Sequence, residues 1–213
     1  MSQRLALDLV VDLAALERRP ASRSVSLMNS SEDLITRSRA GDQEAFRLIF
    51  ERFSRPVLGF IYDLVGQRDL AEELTQETFV RAYKSLDSIR DEAKLNSWLF
   101  GIGRNVAREA IRARRRESQN VLDVDFSEGQ FDRTTQASPA QDLLHKELNL
   151  AMHNALASLD EDRRVVFVLK VFRQCSYQEI VEITGFTLAK VKTDLHRARV
   201  EVRRRMGPFL ETE

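Results

Sequence analysis

Residues 174–206, QCSYQEIVEITGFTLAKVKTDLHRARVEVRRRM, leave this chain few folds to choose from. Ser176 followed by Glu179 is a capping box, in which the hydroxyl takes the amide three residues on and the carboxylate reaches back to the Ser amide. A helix therefore starts at about Tyr177, turns Ile180, Val181 and Ile183 inward, and stops at Thr184-Gly185, where glycine can take the left-handed conformation that closes a helix. Thr187 is a second N-cap. From there Leu188, Val191, Leu195, Ala198, Val202 and Met206 recur at steps of three and four, one apolar stripe against the body of a domain. The opposite side carries Ala189, Lys190, Thr193, His196 and Arg197, with Lys192, Arg199 and Arg203 on its flanks. Helix, tight turn and long basic helix are the outline of an element that reads duplex DNA, because a major groove admits one helix with its N-terminal residues at the bases. Lys190 and Thr193 are then the candidates for base edges, and Arg197, Arg199 and Arg203 for phosphates. A merely solvated basic helix is the competing reading; the capped turn and the length of the second helix favour DNA.

Total charge hides this. Lys and Arg number 33 and Asp and Glu 33, for a formal net charge of +0. The charges are segregated, and local sign is what a polyanion feels. Arg104, Arg108, Arg112, Arg114, Arg115 and Arg116 crowd one segment, whereas Asp123, Asp125, Glu128, Asp132 and Asp142 face only Arg133 between the basic stretches.

Proline and glycine are scarce and no strand-type alternation is sustained, so the fold expected is all-α. Breaks at RRPASRS, Ala40-Gly41, Val65-Gly66 and the acidic stretch from Ser118 to Gln141 divide it. The expected architecture is two small helical domains, 30–117 and 142–207, joined by a flexible acidic linker at 118–141, with the C-terminal domain a helix-turn-helix. Residues 1–29 form an extension with a possible amphipathic face at Leu5, Leu9, Leu13 and Leu16, and 208–213 a tail. The lone Cys175 rules out an internal disulfide and fits a reducing, cytoplasmic setting. No apolar run is long enough to span a bilayer, so no membrane insertion is expected, and Asp8 and Asp12 interrupt the N-terminal LALDLVVDLAAL, a poor signal peptide.

The N-terminal domain holds two further constellations. In DLAEELTQETFVRAYKSL, Asp69 with Glu72 three residues on reads as a cap; Ala71, Leu74, Thr78, Phe79, Ala82, Tyr83 and Leu86 form the buried side. Asp69, Glu72, Glu73, Gln76, Glu77 and Val80 line the other. An acidic face with one apolar residue suits docking to a basic protein helix, and a solvated face is the plainer alternative. In SWLFGIGRNVAREAIRARRR, Trp98, Ile102, Val106 and Ala110 read as buried, with Arg104, Arg108, Arg112 and Arg115 outside and Asn105 beside them. Aromatics next to a basic stripe are how single-stranded nucleic acid is held, since any base can stack while cations track the backbone. Trp98 reads as core, and Phe100 as the exposed stacking candidate. The loop before this helix, SIRDEAKLN, is rich in groups that bond base edges.

These motifs in this order, followed by a linker, LASLDEDRRVVFVLKVF and the helix pair, resemble a bacterial sigma-70 family RNA polymerase sigma factor. The two-domain form resembles the extracytoplasmic function group, over about residues 30–206, with 30–117 as region 2 and 142–207 as region 4. The resemblance implies that the acidic helix docks on the clamp helices of the polymerase beta-prime subunit through Asp69, Glu72, Glu73, Gln76, Glu77 and Val80. It also implies that Ile89, Arg90, Asp91, Glu92, Lys94 and Asn96 of the loop capture the melted minus-10 nontemplate strand, together with Phe100, Arg104, Asn105 and Arg108. The helix pair would read minus-35 duplex, with the beta flap a further polymerase contact and an anti-sigma factor the regulator. Catalysis would be the polymerase's; no cofactor, metal or active site of its own is expected.

Two departures from the family pattern stand out. The usual FRGDARF loop appears as IRDEAKL, and the recognition-helix PVGTVKSRLHRAR as TLAKVKTDLHRAR, with Lys190 in place of Thr and Asp194 where Arg is common. An acid at the groove can accept from cytosine, so Asp194 is expected to alter minus-35 choice. The start usual in the family falls near Met28, so the first residues are read as a possible misassigned start. A helix-turn-helix regulator acting without the polymerase is the alternative function; it would need neither N-terminal constellation. A recombinase would need a catalytic cluster that His145, His153 and His196, dispersed as they are, do not supply.

Overall fold

The computed structural model describes residues 31–89, 91–117 and 139–210. Among them every regular element is helical. The readings made on the extension, the body of the linker, Arg90 and the last residues fall outside this set.

Four helices build the N-terminal half: α1 (Ser31–Arg39), α2 (Gln43–Val65), α3 (Arg68–Lys84) and α4 (Leu95–Glu117). Asp42 caps α2, its carboxylate accepting from the amides of Glu44 and Ala45. Gly66 ends it at φ 73°, donating to the Tyr62 carbonyl. Ala45, Ile49, Phe53, Val57, Phe60, Ile61 and Leu64 form the buried stripe of α2, against which α1, α3 and α4 pack. The buried hydroxyls of Thr75 and Thr78 in α3 donate to the carbonyls four residues back, 2.6 and 2.7 Å away, so the interior holds them without an unmade bond. The cap expected at Asp69 is not what starts α3. The cap position is Gln67, two residues earlier, the helix begins at Arg68, and the Gln67 side chain makes no capping hydrogen bond. Asp69 instead sits in the first turn, where its charge favours the positive end of the helix. Tyr83, expected inside, is 47% exposed with its ring 4.9 Å from Phe46.

The C-terminal half comprises α5 (Pro139–Ala157), α6 (Glu161–Phe167), which runs on into a π-helical turn Val168–Phe172, α7 (Tyr177–Thr184) and α8 (Leu188–Leu210). The helix-turn-helix forms as its residues dictate. Ser176 and Glu179 close a reciprocal capping box, and Gly185 ends α7 at φ 72°. The Thr187 hydroxyl accepts from the Lys190 amide at 3.2 Å. Val191, Leu195, Ala198, Val202 and Met206 are all buried, while Leu188 at the stripe's head is 44% exposed. Helix α5 already begins at Pro139, within the stretch assigned to the linker.

The two halves share one continuous core. Helix α7 packs on α4, and α2 touches α5, α6 and the π-helical turn. Arg164 ties the halves together. Its guanidinium donates to the carbonyls of Leu156, Ala157 and Leu159 at the end of α5, at 2.9, 2.9 and 3.1 Å, and to Leu64 at the end of α2 at 2.7 Å. Those of Ala157 and Leu64 are carbonyls a helix terminus leaves without an intrahelical partner, at the negative end of the helix dipole, while Leu156 also accepts from the Leu159 amide.

Candidate nucleic-acid interface

Helix α3 presents its acidic side outward. Asp69, Glu72, Glu73, Gln76, Glu77 and Val80 are all exposed. Arg68 pairs with Glu72 at 2.9 Å, and Arg81 with Glu77 and Glu109 at 2.8 Å each. Val80 is 46% exposed, and Phe50, which the sequence reading did not single out, is also exposed, its ring 4.8 Å from Phe79. Its signal was weak because one large apolar residue on the flank of a long apolar stripe reads as core.

Helix α4 departs most from expectation. Phe100 is not a platform: it is 3% exposed, with its ring 5.0 Å from that of Phe60. Ile89 is likewise buried in the core, so its side chain does not face a strand. Arg104 is buried too, its guanidinium centred 5.2 Å over the Phe186 ring. Burial, and after it the neighbouring Arg108, hold the Arg104 pKa below the usual guanidinium value. Trp98, Ile102 and Ala110, expected inside, are half-buried, and Val106 is buried as expected. The physical reason is that α4 is covered on two sides, by its own bundle and by α7, whereas an amphipathic reading allots a helix one buried face. Asp91, Lys94, Asn96, Asn105, Arg112 and Arg115 are exposed; Glu92 lies in a short 3-10 turn with Lys94. Arg108 is half-buried, with Nε 2.8 Å from the Glu161 carboxylate, and Lys94 donates to Glu182 of α7 at 2.8 Å.

On α8 the side chains of Ala189, Lys192, Thr193, His196, Arg197 and Arg203 are exposed and Arg199 is half-buried. Asp194 is not at the groove face: it is 7% exposed. Its carboxylate accepts from Lys190 Nζ at 2.6 Å, and Asp162 of α6 lies 3.1 Å from the same nitrogen. The Lys190 ammonium also sits 4.5 Å over the Phe186 ring. Hydrogen bonding to Asp194 is the first cause that holds the Lys190 pKa above its ordinary value. Asp162 and Phe186 were invisible to sequence reasoning because they reach Lys190 through space, from another helix and from the turn. No group of three or more His, Cys, Asp or Glu residues among the described ones is placed to hold a metal ion.

Two family models match in order along the chain: Sigma-70 region 2 over residues 49–117, and Sigma-70, region 4 over 149–202. Together they span the acidic helix, the basic helix and the helix-turn-helix. The chain belongs to the sigma-70 family, in its extracytoplasmic function group. The RNA polymerase sigma-H factor of Pseudomonas aeruginosa is 28% identical over 183 residues, 84% of this chain and 95% of that one. The ECF RNA polymerase sigma-E factor of Haemophilus influenzae is 27% identical over 186 residues, 85% and 97% of the two chains. Among solved structures, the sigma factor RpoE of Bartonella quintana, in complex with the anti-sigma factor NepR, matches with a TM-score of 0.63 at 25% identity over 76% of this chain and 96% of that one. CnrH, solved with the cytosolic domain of CnrY, has the same fold, with a TM-score of 0.60 at 23% identity over 82% and 96% of the chains. The protein is therefore a polymerase-binding, promoter-directing sigma factor rather than a free-standing regulator.

Proposed function

We propose that this sigma factor docks on core polymerase through the outer face of α3 and grips promoter DNA at two points. Melted minus-10 nontemplate strand lies along α4 and the loop before it, touching Asn96, Asn105, Arg108 and Lys94. Minus-35 duplex meets the face of α8 carrying Ala189, Lys190, Lys192, Thr193, His196 and Arg197, with Arg199 and Arg203 toward the phosphates. One observation carries this reading: carboxylates dominate the exposed face of α3, which suits a basic protein surface, and Lys192, His196, Arg197 and Arg203 dominate that of α8, which suits a polyanion. The sigma factor has no chemistry of its own in this scheme and works in the cytoplasm, where polymerase and promoters are. The complex of its Bartonella relative with an anti-sigma factor supports control by a partner of that kind.

Asp194 takes a different role from the one its position in sequence suggested. Buried against Lys190, it acts on the base-reading ammonium rather than on a base. Run-off transcription with core polymerase tests the scheme. The wild-type chain should enable initiation from a defined set of promoters. Lys190→Ala should relax preference at particular minus-35 bases, whereas Arg203→Ala should weaken binding across all sequences and reduce the slope of log affinity against log salt by about 0.9. Equal losses on every sequence for both variants would refute the division of labour, and DNA binding without initiation would refute the role as a polymerase subunit.

A further inference from the structure

We propose that Asp162 and Asp194 are positioning residues that hold the Lys190 ammonium as a single fixed donor, so that Lys190 selects a guanine in the minus-35 duplex and adds nothing to the attraction for the DNA backbone. The proposal rests on the reading of α8 as the face that meets that duplex.

A lysine is ordinarily a strongly hydrated point charge on a flexible four-carbon stem. Such a group follows any phosphate, and phosphate contacts carry no sequence information. Lys190 is instead fixed at both ends. Its amide donates to the Thr187 hydroxyl oxygen at 3.2 Å, at the start of α8. Its Nζ donates to the Asp194 carboxylate at 2.6 Å, with an Asp162 oxygen 3.1 Å away and the Phe186 ring centre at 4.5 Å.

Each wall of this socket is itself anchored. Asp194 follows Lys190 by one helical turn and is buried. Asp162 stands in the first turn of α6, a helix capped by Asp160, whose carboxylate accepts from the Arg163 amide at 2.9 Å. The Phe186 amide donates to the hydroxyl oxygen of buried Thr184 at 3.2 Å. The Lys190 side chain nonetheless keeps 40% of its surface open to a ligand.

An ammonium has three donors and no acceptor. Two carboxylates take two of them, and one donor is left. One cation between two carboxylates also leaves the group net negative, so the socket offers a phosphate no attraction. Hydrogen bonding to Asp194, the first cause of the raised Lys190 pKa, keeps the ammonium protonated at neutral pH. In the major groove guanine presents two acceptors, N7 and O6, whereas cytosine presents a donor and adenine sets a donor beside its acceptor. A lone fixed donor therefore fits guanine best and meets cytosine donor to donor. Backbone attraction falls to the exposed Lys192, Arg197 and Arg203.

The test binds the chain, assembled with core polymerase, to duplexes randomised through both promoter elements and sequences the bound fraction. At one minus-35 position the wild type should prefer guanine over cytosine about tenfold, within the usual cost of a mismatched pair. Lys190→Ala should cut that preference to about twofold or less while leaving the slope of log affinity against log salt unchanged; a phosphate-bound lysine would take about 0.9 from it. Asp162→Ala, at a side chain 36% exposed, should lose the same preference at the same position without lowering the mean affinity for the unselected library. Asp194→Asn keeps the buried shape and should do likewise. Wild-type preference in both aspartate variants would show that Lys190 needs no positioning, and the proposal would be wrong. Preference lost evenly at every position would reduce the aspartates to a structural role, and a base other than guanine would overturn the ligand. A salt slope that drops by about 0.9 in Lys190→Ala would make the lysine a phosphate contact. If Lys190→Ala keeps the preference, another residue of α8 reads that base and the proposal alone fails. If the wild type shows no minus-35 preference at all, the reading of α8 fails, and the proposal with it.

Discussion

Replacing Phe100 by Ala is expected to lower the stability of the N-terminal bundle by about 3–5 kcal/mol, the usual cost of emptying a buried phenylalanine site. The side chain is 3% exposed and packs on Phe60, which is fully buried in the C-terminal third of α2. Deleting the ring removes its buried apolar area and leaves a cavity where α2 and α4 meet, far from any solvent that could fill it usefully. Urea denaturation of the purified chain measures this directly, with the midpoint shifting and the slope unchanged if the transition remains two-state. Had Phe100 been an exposed stacking platform, the same change would leave the unfolding free energy within about 0.5 kcal/mol of wild type and act only on single-strand affinity. A stable Phe100→Ala protein with weakened oligonucleotide binding would therefore overturn the core assignment.

Reversing charge on the acidic face should have the largest effect on activity. Glu72→Lys with Glu77→Lys is expected to weaken association with core polymerase by about a hundredfold or more. Close charge pairs across protein interfaces are worth roughly 1.5–7 kcal/mol each, and about 2.7 kcal/mol in all is a hundredfold. Fold stability should hardly move. Both side chains are about half exposed and their partners Arg68 and Arg81 are too, and surface pairs of this kind contribute about 0–1 kcal/mol. Fluorescence anisotropy of labelled sigma factor against core polymerase measures the affinity, and run-off transcription the consequence. The same double variant should bind minus-35 duplex as the wild type does, because α8 is untouched. Polymerase affinity within about threefold of wild type would place the docking surface elsewhere.

Much of the fold was legible because its signals are local. The capping box of Ser176 and Glu179, the Gly185 stop and the Thr187 cap need only a few consecutive residues, and each forms as read. So does the stripe from Val191 to Met206, since one helix face is enough to specify it. The readings that missed concern residues whose cover a single helix does not reveal. Phe100 packs on Phe60 of α2, Arg104 lies against Phe186, and Ile89 and Asp194, read outward from the family resemblance, are buried. Arg104 shows this most plainly. Its spacing with Arg108, Arg112 and Arg115 marks a basic stripe, yet Phe186, more than eighty residues away, sits on its guanidinium.

By itself, the sequence determined the helical class, the helix-turn-helix with its two caps, the acidic and basic faces and the family to which they belong, because these follow from short-range hydrogen bonding, helical periodicity and ordered motifs. The tertiary structure alone decided which members of those faces are free. Lys190 is held between Asp194 and Asp162, Arg108 faces Glu161, and Arg173 is anchored to Asp63. The physical reason is that a charge's partner is fixed by distance in space, and for Arg108, Arg173 and Asp162 that partner comes from another helix, about which periodicity carries no information.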